Sequence, residues 1–136
     1  MKPFLVFFAL AFTAYSQEAL PELIRKGDAY DAKFESDNAL KYYLPAEKLA
    51  PNDATLMIKI ARQYVYRMEG LSTDSEKLAS GRVAVSYSER AVKLAPNQCD
   101  SYLSLAICWG KVTPFLGNKE SIEASRQIQN AAEKAV

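Results

Sequence analysis

The sequence predicts an all-α fold in which about three helical hairpins stack in series as a solenoid. The five letters KLAPN occur at residues 48–52 and again at residues 93–97, 45 positions apart. Around these copies, apolar residues recur at intervals of three and four, the period of one face of an α-helix. Self-similarity at a period of about 20 to 50 residues is typical of repeat proteins. The predicted hairpins cover residues 20–53, 54–98 and 99–136.

Each KLAPN segment predicts the end of one helix and the start of the next. Lys48 suits the negative C-terminal end of a helix, and Pro51 cannot continue that helix. Asn52 or Asp53 can then cap the helix that follows. Pro51 and Pro96 therefore mark the junctions between consecutive hairpins.

Two apolar stripes predict the first hairpin. Its core-facing residues are predicted to be Leu23, Gly27, Tyr30 and Phe34 on the first helix, and Ala39, Tyr43, Ala46 and Ala50 on the second. Pro45 lies inside that second helix, where it is expected to kink the helix or to cost about 3 kcal/mol.

The second hairpin begins with a helix from about Ala54 to Met68. Thr73 and Glu76 have the spacing of a capping box, which predicts a second helix that runs from there to Leu94. The core-facing residues are predicted to be Met57, Ile60, Ala61, Tyr64 and Met68, followed by Ala84, Tyr87, Ala91 and Ala95.

The third hairpin has a first helix that should end before Pro114 and a second that follows Gly117 and Asn118. Its core-facing residues are predicted to be Tyr102, Leu105, Ala106 and Trp109, then Ile122, Ser125, Ile128, Ala132 and Ala135. A solenoid needs a polar closing helix, and the residues up to Val136 do not supply one. We therefore expect the chain to be C-terminally incomplete.

Small and aromatic residues at the predicted helix crossings resemble the tetratricopeptide repeat signature. The matching positions are Gly27, Tyr30, Ala39, Tyr43, Ala46 and Pro51, then Ala61, Tyr64, Ala84, Ala91 and Pro96, then Leu105, Ala106, Trp109 and Ala135. The second hairpin exceeds the family's usual unit of about 34 residues by roughly three helical turns, and the third by nearly as much. Because three whole turns return an apolar stripe to the same face, we expect lengthened second helices and not long loops.

The later part of the chain also resembles the regulator of microtubule dynamics family, which has similarly stretched repeats. The segments LAICWGKV, at residues 105–112, and IEASRQIQNAAEKAV, at residues 122–136, carry this second resemblance. It implies an alternative function as a lipid- or membrane-contact protein.

The tetratricopeptide resemblance implies a binding groove on the concave face, lined by the first helix of each hairpin. The corresponding positions are Ile24, Asp28, Asp31, Ile58, Arg62, Val65, Tyr66, Leu103, Ile107 and Lys111. Ile24 and Asp28 stand where some relatives have a lysine and asparagine clamp for the acidic tails of chaperones, so such an adaptor is not expected. The leading hypothesis is a scaffold that binds a protein or peptide of unknown identity, and the alternatives are lipid contact and a spacer without a ligand.

Residues 1–16 have the composition of a secretory signal peptide. A basic start at Lys2 is followed by an apolar run from Phe4 to Phe12 and by small residues at Ala14 and Ser16. The run is shorter than the roughly 20 residues that span a bilayer. We predict a secreted or periplasmic repeat domain over residues 17–136, with membrane association only if the segment stays uncleaved.

The remaining composition argues against catalysis, metals, cofactors and nucleic acid. Without residues 1–16 the chain has 16 basic and 16 acidic residues, so no net charge attracts nucleic acid. The chain has no histidine, and its glycines form no phosphate-binding motif. Asp28 and Asp31 share a helical face, but a solvated surface is expected there and not a catalytic pair. Cys99 and Cys108 lie nine residues apart on one predicted helix, too far apart for a disulfide, so we expect an exposed thiol and a core thiol.

Overall fold

The computed structural model describes residues 19–136, and over this range the chain folds into α-helices and no strands. Helix α1 covers residues 19–31. The other helices are α2 (Ser36–Leu49), α3 (Ala54–Gly70), α4 (Asp74–Leu94), α5 (Cys99–Val112) and α6 (Asn118–Ala135), and a short 3-10 helix, Thr113–Phe115, links α5 to α6. The predicted all-α repeat fold is confirmed. The predicted signal segment lies outside the described residues.

Both proline junctions lie between helices, as predicted. Helix α2 ends at Leu49 and Pro51 follows in a turn. Asp53 caps α3, because its Oδ1 accepts a hydrogen bond of 3.0 Å from the backbone N–H of Leu56. Pro96 lies in the corresponding turn between α4 and α5. Pro45 lies inside α2, and the helix continues past it to Leu49.

The extra residues of the second hairpin lie in its helices. Helix α4 has 21 residues against 14 in α2, which agrees with the predicted lengthening. Helix α3 is long as well, with 17 residues, so both helices of the hairpin contribute. The predicted capping box is present: Thr73 Oγ1 accepts from the Glu76 N–H at 3.2 Å, and Glu76 Oε2 accepts from the Thr73 N–H at 3.0 Å.

The apolar core forms two clusters, and α3 and α4 contribute to both. The first cluster consists of Ala39, Leu40, Tyr43, Ala46, Leu56, Met57, Ile60 and Ala91. The second consists of Ala61, Val65, Ala84, Val85, Leu105, Cys108, Val112 and Ala131. Each hairpin therefore buries its apolar face against the next one, as expected for a stacked array.

Two core predictions are wrong, and the first concerns Phe34. Helix α1 ends before this residue, and its side chain is 71% exposed in the turn to α2. The N–H of Phe34 donates to the Asp31 carbonyl at 2.9 Å, and the N–H of Glu35 donates to the Tyr30 carbonyl at 3.1 Å. These two bonds form a Schellman motif, which ends the helix before its apolar stripe reaches Phe34.

The second wrong prediction is the buried face of α6. The fully or nearly buried residues are Ala124 and Ala131, whereas Ile122 is 61% exposed and Ser125 and Ala132 are also exposed. Small side chains allow α6 to approach α5 closely, so alanines occupy the contact that the larger Ile122 was expected to make. None of the helices within residues 19–136 is both long and apolar enough to cross a membrane.

Candidate ligand-binding groove

An open groove lies between α3 and α5, the first helices of the second and third hairpins. Its cavity volume is about 510 Å³. The lining residues recur at three- and four-residue spacing along both helices, and they include Val65 and Cys108 of the second core cluster. The groove therefore lies over the second core cluster, between the two helices.

Seven of the ten predicted groove residues line this cavity. They are Ile58, Arg62, Val65 and Tyr66 from α3 and Leu103, Ile107 and Lys111 from α5. The three predicted residues of α1, Ile24, Asp28 and Asp31, do not line it. Ile24 packs instead against the first core cluster. That any of these residues binds a partner stays a prediction.

The middle of the groove is apolar and partly open to solvent. Leu103 is 51% exposed and Ile107 is 49% exposed, although both are large aliphatic residues on the same helical face. Val65 and Tyr66 of α3 line the same cavity. A contiguous exposed apolar surface of this kind is typical of a binding site, whereas single exposed apolar residues need no explanation.

Asp28 and Asp31 bind two of the cations on α3. Asp28 Oδ1 accepts hydrogen bonds of 2.6 Å from both Lys59 Nζ and the Tyr43 hydroxyl. Asp31 pairs with Arg62, and its side chain is only 10% exposed. The expected solvated carboxylate face is therefore wrong, because both acids form ion pairs with the neighbouring helix.

The pKa of Asp28 reflects these contacts. Partial burial acts to raise it, but the hydrogen bonds from Lys59 and Tyr43 and the charges of Lys59 and Arg62 outweigh burial and hold the pKa below its usual value. Asp28 is therefore a stable carboxylate and a poor proton donor. This behaviour suits an ion pair and not an acid–base catalyst.

The two cysteines are placed as predicted, and neither forms a disulfide. Cys99 is exposed at the first turn of α5, and Cys108 is buried. Ser88 Oγ lies 2.8 Å from Ser104 Oγ and 3.2 Å from Cys108 Sγ, so the base of the groove contains a small polar cluster. Burial raises the pKa of the Cys108 thiol, despite opposing hydrogen bonds from the two serines, which keeps it protonated and unreactive.

The far end of the groove carries a loose charge pair. Lys111 Nζ lies 3.8 Å from Glu69 Oε1, and both side chains are more than half exposed. Such exposed pairs contribute little to stability, so both groups are available to a ligand. Within residues 19–136, no group of three or more histidine, cysteine, aspartate or glutamate residues is arranged to hold a metal ion.

Sequence reasoning missed Lys59, although a signal for it exists. The pairs Asp28–Lys59 and Asp31–Arg62 both join residues that are 31 positions apart. Two acids three residues apart, followed by two bases three residues apart, would identify facing helices once the repeat length is known. Local periodicity alone does not contain this information.

The family of the chain follows from comparison with family models. The model described as regulator of microtubule dynamics protein 1-3 matches residues 23–136. The chain belongs to this family. The match includes both helices of the groove, and it extends the resemblance of residues 105–136 back over the two earlier hairpins. None of the curated proteins matches the chain.

Proposed function

We propose that this member of the family is an exported, tetratricopeptide-like scaffold that binds a protein segment in the groove between α3 and α5. The observation that carries the proposal is the pair of half-exposed side chains of Leu103 and Ile107, which lie in the same cavity as Ile58 and Tyr66. Completing the burial of two half-buried aliphatic side chains would contribute about 1 kcal/mol each to binding. A partner that covers the groove gains this free energy.

The tetratricopeptide-like arrangement is supported by the residues at the helix crossings. Ala39, Tyr43 and Ala46 of the first hairpin are fully buried, and so are Ala61 and Ala84 of the second. Small residues at these positions allow close helix packing within and between the hairpins. This packing leaves α3 and α5 side by side on the face that forms the groove.

A non-enzymatic role is part of the proposal. Its support is chemical: the carboxylates of Asp28 and Asp31 are engaged by cations, and the Cys108 thiol is buried and kept protonated. These groups hold the fold together. A scaffold function needs none of them to react.

The test compares partner capture by a groove variant with capture by a matched control. Leu103→Asp places a charge in the groove at a half-exposed site that tolerates it. Ile122→Asp makes the same kind of change at an exposed site on α6, outside the groove. We expect proteins bound by the unaltered chain to be lost with Leu103→Asp and retained with Ile122→Asp; equal recovery with both variants would contradict the proposal.

Lipid contact is the alternative function, and the apolar lining of the groove favours it. Mass spectrometry of the purified chain distinguishes the two. Lipid that copurifies with the unaltered chain and with Ile122→Asp, but not with Leu103→Asp, would support the alternative.

Export is proposed from the composition of residues 1–16 alone. Expression in a bacterial host followed by N-terminal sequencing tests it. We expect the exported protein to begin at Gln17, and an intact N-terminus at Met1 in the cytoplasmic fraction would contradict export.

A further inference from the structure

Two of the three cations that line the groove are already paired with carboxylates of the first hairpin. Lys59 and Arg62 of α3 face the cavity, and each is bound by a carboxylate of α1 that lies outside it. An acidic ligand would therefore have to compete with Asp28 and Asp31 for Lys59 and Arg62.

The charge balance of the groove changes sign when these carboxylates are included. The charged lining residues are three cations and two anions, namely Lys59, Arg62, Lys111, Glu69 and Asp100. Adding Asp28 and Asp31 gives four anions against the same three cations. The field at the groove therefore favours a ligand with basic groups at the edges of its contact surface.

The apolar middle of the groove favours a helical ligand. An extended peptide would bury its backbone N–H and C=O groups against Val65, Leu103 and Ile107, which cannot form hydrogen bonds. A helix satisfies its own backbone groups and presents only side chains. The α3 lining runs from Thr55 to Glu69, which corresponds to roughly 21 Å, the length of about four helical turns.

We propose that the groove binds an amphipathic helix whose apolar stripe is flanked by basic residues, and that Asp28 and Asp31 determine this preference. The inference rests on the proposed function, that the groove binds a protein segment. It adds the chemistry of the partner. It also assigns a role in selectivity to Asp28 and Asp31, which do not line the cavity.

Two labelled peptides test the proposal. Both have about 14 residues and the same leucine stripe, and they differ only in whether the flanking positions are lysine or glutamate. Fluorescence anisotropy with the purified chain should show that the lysine peptide binds at least about tenfold more tightly at low salt, and that added salt reduces the difference. The double variant Asp28→Asn, Asp31→Asn should abolish or reverse this preference.

A second variant tests the same preference in case the double variant does not fold. Asp100→Asn alters an exposed residue at the end of the groove, away from the contact between α1 and α3, and it should reduce the preference for the lysine peptide. Equal binding of the two peptides to the unaltered chain, or a preference for glutamate, would overturn this inference alone. Binding of neither peptide would overturn the proposed function and this inference with it.

A separate observation concerns Phe34, which occupies a backbone position that favours glycine. Its φ is 58°, in the left-handed region, at the residue that follows the Schellman-type end of α1. A bulky aromatic residue is disfavoured there, and the 71% exposure of Phe34 means that core burial does not offset the strain.

The ring of Phe34 extends the apolar surface of the groove. It packs edge-on against Tyr66 with ring centroids 5.3 Å apart, and Tyr66 lines the cavity. It is a third contact between the first hairpin and α3, in addition to the pairs Asp28–Lys59 and Asp31–Arg62.

We infer that Phe34 contacts the bound ligand, again given the proposed function. Phe34→Asn should relieve the backbone strain, because asparagine tolerates the left-handed region. We expect the lysine peptide to bind about fivefold more weakly to this variant, while the urea midpoint of unfolding stays equal to that of the unaltered chain or rises. A lower midpoint with unchanged affinity would identify a purely structural role and overturn the inference.

Discussion

At the scale of single residues, the closest helix contact of the first hairpin depends on Gly27. A Cβ atom at this position would overlap the ring of Tyr43, which is itself fully buried between α1 and α2. Gly110 lies inside α5, and a Cβ there would meet nothing within 4 Å. Gly27 and Gly110 therefore provide a matched pair of helical glycines for testing the crossing.

We predict opposite effects for alanine at these two positions. Gly27→Ala should lower the free energy of unfolding by about 1–3 kcal/mol, because the overlap with Tyr43 exceeds the gain in helix propensity. Gly110→Ala should raise it by up to about 1 kcal/mol. Urea denaturation followed by circular dichroism measures both, and a stable Gly27→Ala would show that the crossing is looser than the structure indicates.

Gly27 was predictable from the sequence, whereas the position of Phe34 was not. Gly27 and the buried Tyr43 stand at a spacing typical of helix crossings, and both residues lie within one hairpin. Phe34 continues the apolar stripe of α1 by period alone. What ends that stripe is a pair of backbone hydrogen bonds, and an aromatic residue gives no sequence signal for a turn that normally contains glycine.

At the scale of secondary structure, the start of α4 is defined by the capping box of Thr73 and Glu76. The hydrogen bond from the Thr73 hydroxyl, followed by that from its backbone N–H, lowers the pKa of Glu76 despite the exposure of this side chain. A carboxylate with a lowered pKa stabilises the fold above its unfolded pKa, and this contribution is lost as pH falls through the folded pKa. The cap should therefore weaken in acid.

Thr73→Ala should destabilise the domain by about 1 kcal/mol through loss of this cap. The pKa of Glu76 should rise towards its ordinary value in the variant, which carbon NMR of the labelled carboxyl group can follow. Ser75→Ala, in the same exposed turn, is the control and should change neither quantity. An unchanged pKa of Glu76 in Thr73→Ala would mean that the box does not form in solution.

The elements differ in how well their sequence predicted them. The start of α4 was predicted because a capping box is a local motif. The buried face of α6 was not predicted correctly, because a large apolar residue such as Ile122 is typical of a core position wherever it stands on a helix. The structure buries the small Ala124 and Ala131 and leaves Ile122 61% exposed.

The groove was likewise only partly predictable. Leu103 and Ile107 were identifiable because the tetratricopeptide resemblance assigns their positions to the concave face. The role of α1 was not, because the pairing of Asp28 and Asp31 with α3 depends on how two distant helices are aligned. The matching spacing of the acids and the bases is visible in the sequence, but it becomes informative only once the separation between facing helices is known.

At the scale of the whole molecule, the first two hairpins are joined at two places by a carboxylate that accepts hydrogen bonds from both a tyrosine hydroxyl and a basic side chain. Asp28 contacts Tyr43 and Lys59, while Glu47 accepts 2.8 Å from the Tyr87 hydroxyl and 2.7 Å from Arg90. Burial, followed by the hydrogen bond to a carboxylate, raises the pKa of both tyrosines well above the ordinary value. A raised pKa gives stability that is complete below the unfolded pKa, near 10, and that is lost as pH rises through the folded pKa.

Replacing both tyrosines should therefore flatten the alkaline loss of stability. Tyr43→Phe alone should cost about 1 kcal/mol at neutral pH through the lost hydrogen bond. The double variant Tyr43→Phe, Tyr87→Phe should show a smaller fall in urea midpoint above pH 10 than the unaltered chain. Tyr42→Phe is the control, because the Tyr42 ring stacks on Tyr30 without using its hydroxyl in that contact; an equal effect of the control would contradict the assignment.

The division of the apolar core into two clusters gives the second hairpin a central mechanical role. Within residues 19–136, α3 and α4 supply residues to both clusters, so the apolar packing of the first and third hairpins runs through this shared pair. Either outer hairpin can open transiently while the other stays closed, so backbone amides of α3 and α4 should exchange with deuterium most slowly. A molecule held between α3 and α5 would fasten the third hairpin to the second. If amide exchange becomes slower in α5 and α6 and stays unchanged in α2, the groove is occupied. This measurement would detect a ligand before its identity is known.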